Sequence, residues 1–90
     1  MSKLGMDIEA AEGFARTLEN QALNEVSSVL TGMSGLVSEL MTVWKGPDAT
    51  LFEQNWSQQA KNLTLLHGAV NDLLGSLQQA IKDQRTASAS

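Results

Sequence analysis

The feature that most constrains this chain is a Gly-Pro pair near its midpoint, Gly46-Pro47, which separates two long helical patterns. Pro47 is the only proline in the 90 residues, and a Gly-Pro pair between periodic segments is a strong helix breaker. Gly46 can adopt the backbone angles that end a helix, and Pro47 fits the first turn of the next one. Asp48 then places a negative charge at the positive end of that second helix. The pair predicts a turn at 45–47 between two helices.

Apolar residues on the N-terminal side of the turn recur every three or four positions, which is the spacing of one helical face. The set is Ile8, Ala11, Ala15, Leu18, Ala22, Val26, Val29, Met33, Leu36, Leu40 and Trp44. Asp7 is suited to cap the start of such a helix. The pattern predicts a first helix over about 7–44.

The C-terminal side of the turn has a second apolar period with the same spacing. The set is Ala49, Phe52, Trp56, Ala60, Leu63, Leu66, Val70, Leu74, Leu77 and Ile81. It predicts a second helix over about 48–82, followed by a disordered tail, 83–90, in which the apolar period has stopped. A short connection makes consecutive helices antiparallel neighbours, so the predicted fold is all-α: one helical-hairpin domain spanning 1–90.

The first helix is apolar over a wider sector than one partner helix can cover. Further apolar residues extend this sector to about 180°, at about 100° per residue. A second hairpin would cover the flanks, which predicts a dimer in the form of a four-helix bundle. The dimer-interface candidates are Leu23, Leu30, Val37, Met41, Leu63, His67 and Val70. The pattern leaves open whether the second hairpin is identical or different.

Composition excludes several classes of function. The formal charge is −4 and the six Lys and Arg residues are dispersed, so nucleic acid is not an expected partner. The chain has no Cys, hence neither disulfides nor thiolate metal sites. The N-terminus lacks the apolar run of a secretory signal peptide, and no apolar stretch is judged long enough to span a bilayer. No membrane insertion is expected.

The residues with chemical potential have structural explanations. His67 is the only His and lies in the apolar stripe of the second helix, without a second metal ligand nearby. No Ser has the setting of a nucleophile, and the acidic residues are spread over the faces of the first helix. We therefore predict no catalytic, cofactor-binding or metal site, and no enzymatic activity.

Three of the four aromatic residues lie close to the turn: Trp44, Phe52 and Trp56. Large rings at this place can pack across the end of a hairpin, which is the role predicted for Phe52 and Trp56. Trp44 is also a candidate recognition residue, because Trp is favoured at the energetic centres of protein interfaces.

Together these residues form a pattern that resembles a known family. Its elements are the midpoint motif Trp44-x-Gly46, the Pro47-Asp48-Ala49 that follows, and Phe52 and Trp56 on the next turns. The chain resembles the WXG family of small type VII (ESX) secretion proteins, which are early secretory antigenic target-like. The resemblance implies homodimers or heterodimers of helical hairpins, and export in folded form by a membrane-bound secretion ATPase. The protein would start in the cytoplasm and end outside the cell without a cleaved signal peptide.

The chain departs from one family feature. In the heterodimeric branch a Tyr-x-x-x-Asp/Glu export signal usually follows the second helix, whereas this sequence has no Tyr and offers only Asp83 in that region. The signal is then either supplied by a partner or not used. Two functions stay open: a secreted substrate or export partner that acts by helix pairing, and a cytoplasmic adaptor that takes a larger hairpin-bearing protein to the secretion machine.

Overall fold

The computed structural model describes residues 5–89 and is helical, with no strand among those residues. The elements are α1 (Ile8–Thr17), a π-helical turn (Leu18–Leu23), α2 (Asn24–Val43) and α3 (Pro47–Ala89). The first three are continuous, so two long helical segments flank the predicted turn, and the molecule is elongated, 66 × 17 × 16 Å. The all-α prediction is confirmed. The hairpin and its pairing into a four-helix bundle stay predictions.

Helix α1 begins with the predicted cap. The Asp7 Oδ1 accepts a hydrogen bond from the Ala10 N–H at 3.1 Å, while Asp7 itself has extended backbone angles. Glu9 adds a negative charge to the first turn, where the helix dipole favours it. A cap of this kind stabilises a helix by about 1 kcal/mol.

Contacts between the two helical segments join the two ends of the chain. The main core cluster combines residues of α1, the π-helical turn and α3, namely Ala11, Ala15, Leu23, Leu74 and Ile81. Beside it, the Arg85 guanidinium lies 2.6 Å from the Glu12 carboxylate. Both side chains are substantially exposed, so this ion pair adds at most about 1 kcal/mol. The apolar cluster is therefore what holds this end together.

The π-helical turn explains how Ala15 and Leu23 both reach α3. They are eight residues apart, and in a regular α-helix eight residues exceed two full turns by about 80°. The wider π-helical turn accommodates one extra residue per turn, so both side chains face the same way. The apolar period did not predict the π-helical turn. This turn shifts the line of α2 residues that face α3 by one position.

Helix α3 is longer than predicted. It runs to Ala89, so the prediction of a disordered segment from 83 onwards is wrong as far as that residue, while Ser90 lies outside the described residues. Side chains one turn apart interact in this part of α3, where Gln79 Nε2 donates to Asp83 Oδ1 at 2.9 Å. The Arg85–Glu12 ion pair also joins this part of α3 to α1.

Candidate turn motif and pairing surface

The backbone of the turn has the geometry expected of Gly46-Pro47. The last residue bonded into α2 is Trp44, whose N–H donates to the Leu40 carbonyl at 3.0 Å. Gly46 has φ +115°, the only positive φ among the described residues, and Pro47 begins α3. The Gly46 carbonyl accepts from the Thr50 N–H at 3.1 Å. The special backbone role predicted for Gly46 is thus present.

Charges at the turn complement both helix ends. The Lys45 Nζ donates to the Met41 carbonyl at 2.6 Å, which places a cation at the negative C-terminal end of α2. Asp48 lies in the first turn of α3, where a carboxylate faces the positive end of the dipole. Each such interaction is worth about 0.3–1 kcal/mol at an exposed site.

The aromatic residues at the turn are only partly covered. The rings of Trp44 and Phe52 are in contact, with centroids 5.6 Å apart and planes tilted by 53°. Trp44 is half-buried, Phe52 is exposed and Trp56 is half-buried further along α3. Ala49, beneath the turn, is only 3% exposed. The small Ala49 side chain therefore lets the two segments approach while the larger rings remain accessible.

A cleft of about 270 Å³ opens beside the turn motif. It brings Trp44 and Gly46 onto one surface, and its other lining residues are Met41, Lys45, Ala49, Thr50 and Glu53. The cleft thus combines an indole, a cation and a carboxylate. Such a surface can receive a partner group.

Replacing Gly46 by Ala is expected to destabilise the protein by about 1–3 kcal/mol. A Cβ at this position meets no atom within 4 Å, so the whole loss comes from holding an L residue at a positive φ. Gly68→Ala is the matched control, because Gly68 is helical and equally open, and there Ala should stabilise by up to about 1 kcal/mol. Urea unfolding followed by circular dichroism measures both. Shifts of the same sign would contradict the role of Gly46.

Two of the predicted dimer-interface residues are covered by the single chain itself. Leu23 and Val37 are 8% and 6% exposed, and are buried within the single chain. The remaining candidates are half-buried: Leu30, Met41, Leu63, His67 and Val70. Together with Leu23 and Val37 they follow the line along which the two helical segments face each other, which we call the contact line. Their part in a dimer interface stays a prediction. On α2, the π-helical turn moves the contact line one position beyond the predicted stripe.

Several residues of the two predicted stripes, among them Leu36 and Leu66, are exposed and form a surface together with other large apolar residues. We define the apolar face as Phe14, Val29, Met33, Leu36, Leu40, Val43, Phe52, Leu66 and Leu73, all of which are large and exposed. Exposure ranges from 37% at Leu40 to 80% at Val43. The α2 members recur every three or four residues, which is the spacing of a second helical stripe.

These residues lie on one side of the molecule. Most of them directly precede a residue on the contact line, as Leu36 precedes Val37 and Leu73 precedes Leu74. One position corresponds to about 100° around a helix. The two helical segments run in opposite directions where they contact each other. A step of one residue towards the N-terminus therefore points to the same side of the molecule on both segments. Sequence reasoning missed this face, although its adjacent apolar pairs were the available signal.

Chemical sites are not evident in the described part of the chain. No group of three His, Cys, Asp or Glu residues there could hold a metal ion. His67 is half-buried on α3. No buried side-chain nitrogen or oxygen in the same region lacks a hydrogen-bond partner.

One described helical segment has the length and composition of a membrane span. It is Ile8–Val43, 36 residues long, and 6% of its most apolar window is buried. The prediction that the chain has no apolar stretch of this length is wrong by that measure. Core helices of soluble proteins and signal sequences share these properties, so length and composition alone do not place the segment in a membrane.

No family model, curated protein or solved structure matches this chain. The resemblance to the WXG family rests on the residues around the turn and on the two apolar periods.

Proposed function

We propose that this chain is a non-catalytic helix-pairing protein of the type VII (ESX) secretion kind. It forms an antiparallel helical hairpin and pairs through the apolar face with a second hairpin, giving a four-helix bundle. The pair is exported in folded form, from the cytoplasm to the outside of the cell, by the secretion ATPase. The observation that carries the proposal is the apolar face, because an exposed surface of this size and regularity marks a protein contact.

The energetics of the apolar face support pairing. Fully burying one Leu, Val or Phe side chain contributes about 1.5–3 kcal/mol. The face has enough such residues to offset an association cost of about 4–15 kcal/mol. Its repeat along α2, exemplified by Val29, Leu36 and Val43, is that of side chains which interlock with a second helix.

The turn motif supports the second part of the proposal, recognition during export. Trp44 is half-buried and lines a cleft with Lys45 and Glu53, so part of its ring can contact another protein. Its indole N–H is the feature that Phe lacks. Trp is also among the residues that contribute most to protein interfaces. We therefore assign Trp44 a recognition role in addition to its packing against Phe52.

Replacing Trp44 by Phe is expected to reduce export several-fold while leaving the melting temperature nearly unchanged. Phe retains most of the contact with Phe52 but removes the indole N–H and part of the cleft wall. The chain is expressed in a host with an active type VII machine and in an isogenic strain without the ATPase. Intact mass in the medium is the measurement, and uncleaved wild type should appear only when the ATPase is present.

Trp56→Phe is the control, since it makes the same change on α3 outside the cleft and should be exported like wild type. Equal export of the Trp44 variant and wild type would remove the recognition role. Retention of wild type in the cytoplasm, with the machine active, would favour the adaptor function over export.

A further inference from the structure

In the part of the chain that the structure describes, the charges that border the apolar face are all negative. The acidic residues on its rim are Glu25, Asp48 and Asp83, and all three are exposed. At about 100° per residue, each lies roughly 90–140° from the contact line of its helix, on the side of the apolar face. Among the described residues, no ion pair involves any of the three.

The basic residues of the described chain lie on the opposite side. The Arg85–Glu12 ion pair marks this side, and Arg16 lines a cleft with Glu12 and Gln78 there. Lys45 shares the turn cleft with Glu53, and helical position places Lys61 and Lys82 on the same side. That side therefore has both signs of charge, whereas the apolar face is bordered by one.

We propose that the apolar face takes a different helical chain, whose apolar stripe is flanked by Lys or Arg, in preference to a second copy of this chain. The inference rests on the proposed helix-pairing function and specifies the partner. Charges that flank an apolar seam set partner choice in paired helices, because opposite signs attract and like signs repel. An entirely acidic rim therefore favours a partner whose own rim is basic.

Self-pairing would bring acids together. Consider two copies related by a two-fold axis near Leu36, which is in the middle of the α2 stripe. A residue on one side of Leu36 then faces the residue of the other copy that lies equally far from Leu36 on the other side. Glu25 is about 16 Å from Leu36 along the helix at 1.5 Å per residue, and Asp48 is at a similar distance on the other side. The axis therefore sets Glu25 of one copy at the level of Asp48 of the other, with no rim cation between them.

The test uses a charge-reversed copy of this chain as the basic partner. The rim variant has Glu25→Lys, Asp48→Lys and Asp83→Lys. The control variant has the same number of substitutions away from the apolar face: Glu9→Lys, Glu19→Lys and Glu53→Lys. Both variants have the same net charge, so overall attraction to wild type is equal and only the location of the charges differs.

Association of wild type with itself and with each variant is measured by sedimentation at low and high salt. We expect wild type to bind the rim variant at least about tenfold more tightly than it binds itself or the control variant. The preference should shrink toward about twofold at 1 M salt, where charges are screened beyond about 3 Å. Leu36→Gln in wild type should abolish binding to the rim variant, whereas Leu65→Gln, on the outer side of α3, should not.

Two other results would overturn the inference in distinguishable ways. If wild type binds itself as tightly as it binds the rim variant, and Leu36→Gln abolishes this, the partner is a second copy and the helix-pairing function stands. If folded, helical wild type binds neither itself nor either variant, both the inference and the helix-pairing function fail.

Discussion

Leu74→Ala is expected to lower the free energy of unfolding by about 2–5 kcal/mol, the range for truncating a buried Leu. Leu74 is 5% exposed and packs in the cluster that joins α1 to α3. The adjacent Leu73 is 63% exposed, so Leu73→Ala should change stability by at most about 0.5 kcal/mol in the unpaired chain. The two variants remove the same atoms one position apart.

Urea unfolding at low protein concentration, followed by circular dichroism, measures both losses. A similar loss at the two positions would mean that the rotation of α3 about its axis is wrongly assigned. Association with a binding partner should show the opposite order. Leu73→Ala should weaken binding more than Leu74→Ala does, since Leu73 belongs to the apolar face and Leu74 does not.

Deleting Asn20 is expected to change stability by less than about 1 kcal/mol, although it removes a residue from the middle of a helix. The deletion brings Ala15 and Leu23 to a seven-residue separation, which a regular α-helix places on one face. The π-helical turn then becomes ordinary α-helix, and the core cluster is kept.

Deleting Asn62 is the matched control, because it removes the same exposed residue type from α3, which has no π-helical turn. One part of α3 then rotates by about 100° relative to the other, so either Leu74 and Ile81 or Ala49 leave their contacts. We expect a loss of more than about 3 kcal/mol, as for the removal of several buried side chains. Equal losses on thermal unfolding of the two deletions would contradict the explanation of the π-helical turn.

Local signals in the sequence were sufficient for the turn and the first cap. Gly46 has the positive φ, Pro47 is the first residue of α3 and Asp7 caps α1, each because its own backbone or side-chain chemistry suits the position. These features depend on residues close in sequence. They could be predicted without knowing what packs against what.

The rotation of α2 could not be predicted from the same pattern. Its apolar sector of about 180° contains two parallel stripes one position apart, represented by Leu36 and Val37, and either can face α3. The π-helical turn selects the second stripe, yet Leu18–Leu23 contains no Gly or Pro to signal it. The ion pair between Arg85, in the extended part of α3, and Glu12 is likewise a contact between residues distant in sequence.

The same difference between local and long-range signals applies to the candidate site. Packing of aromatic rings at the turn was predicted for Phe52 and Trp56, because both lie beside a turn that the sequence locates, and the ring contact found there joins Phe52 to Trp44. The apolar face was missed, because its recognition depends on which of two stripes is already buried. Two of the dimer-interface candidates, Leu23 and Val37, therefore came from the stripe that the chain itself covers.

The position of the core cluster far from the turn also affects how the chain folds. Its contacts, such as Ala11 with the end of α3, join residues at nearly the greatest sequence separation available, and closing long loops is entropically slow. We expect folding to spread from Gly46-Pro47 and to end when α1 locks onto α3. In the native state, the amide hydrogens of α1 should then exchange together, through one cooperative opening.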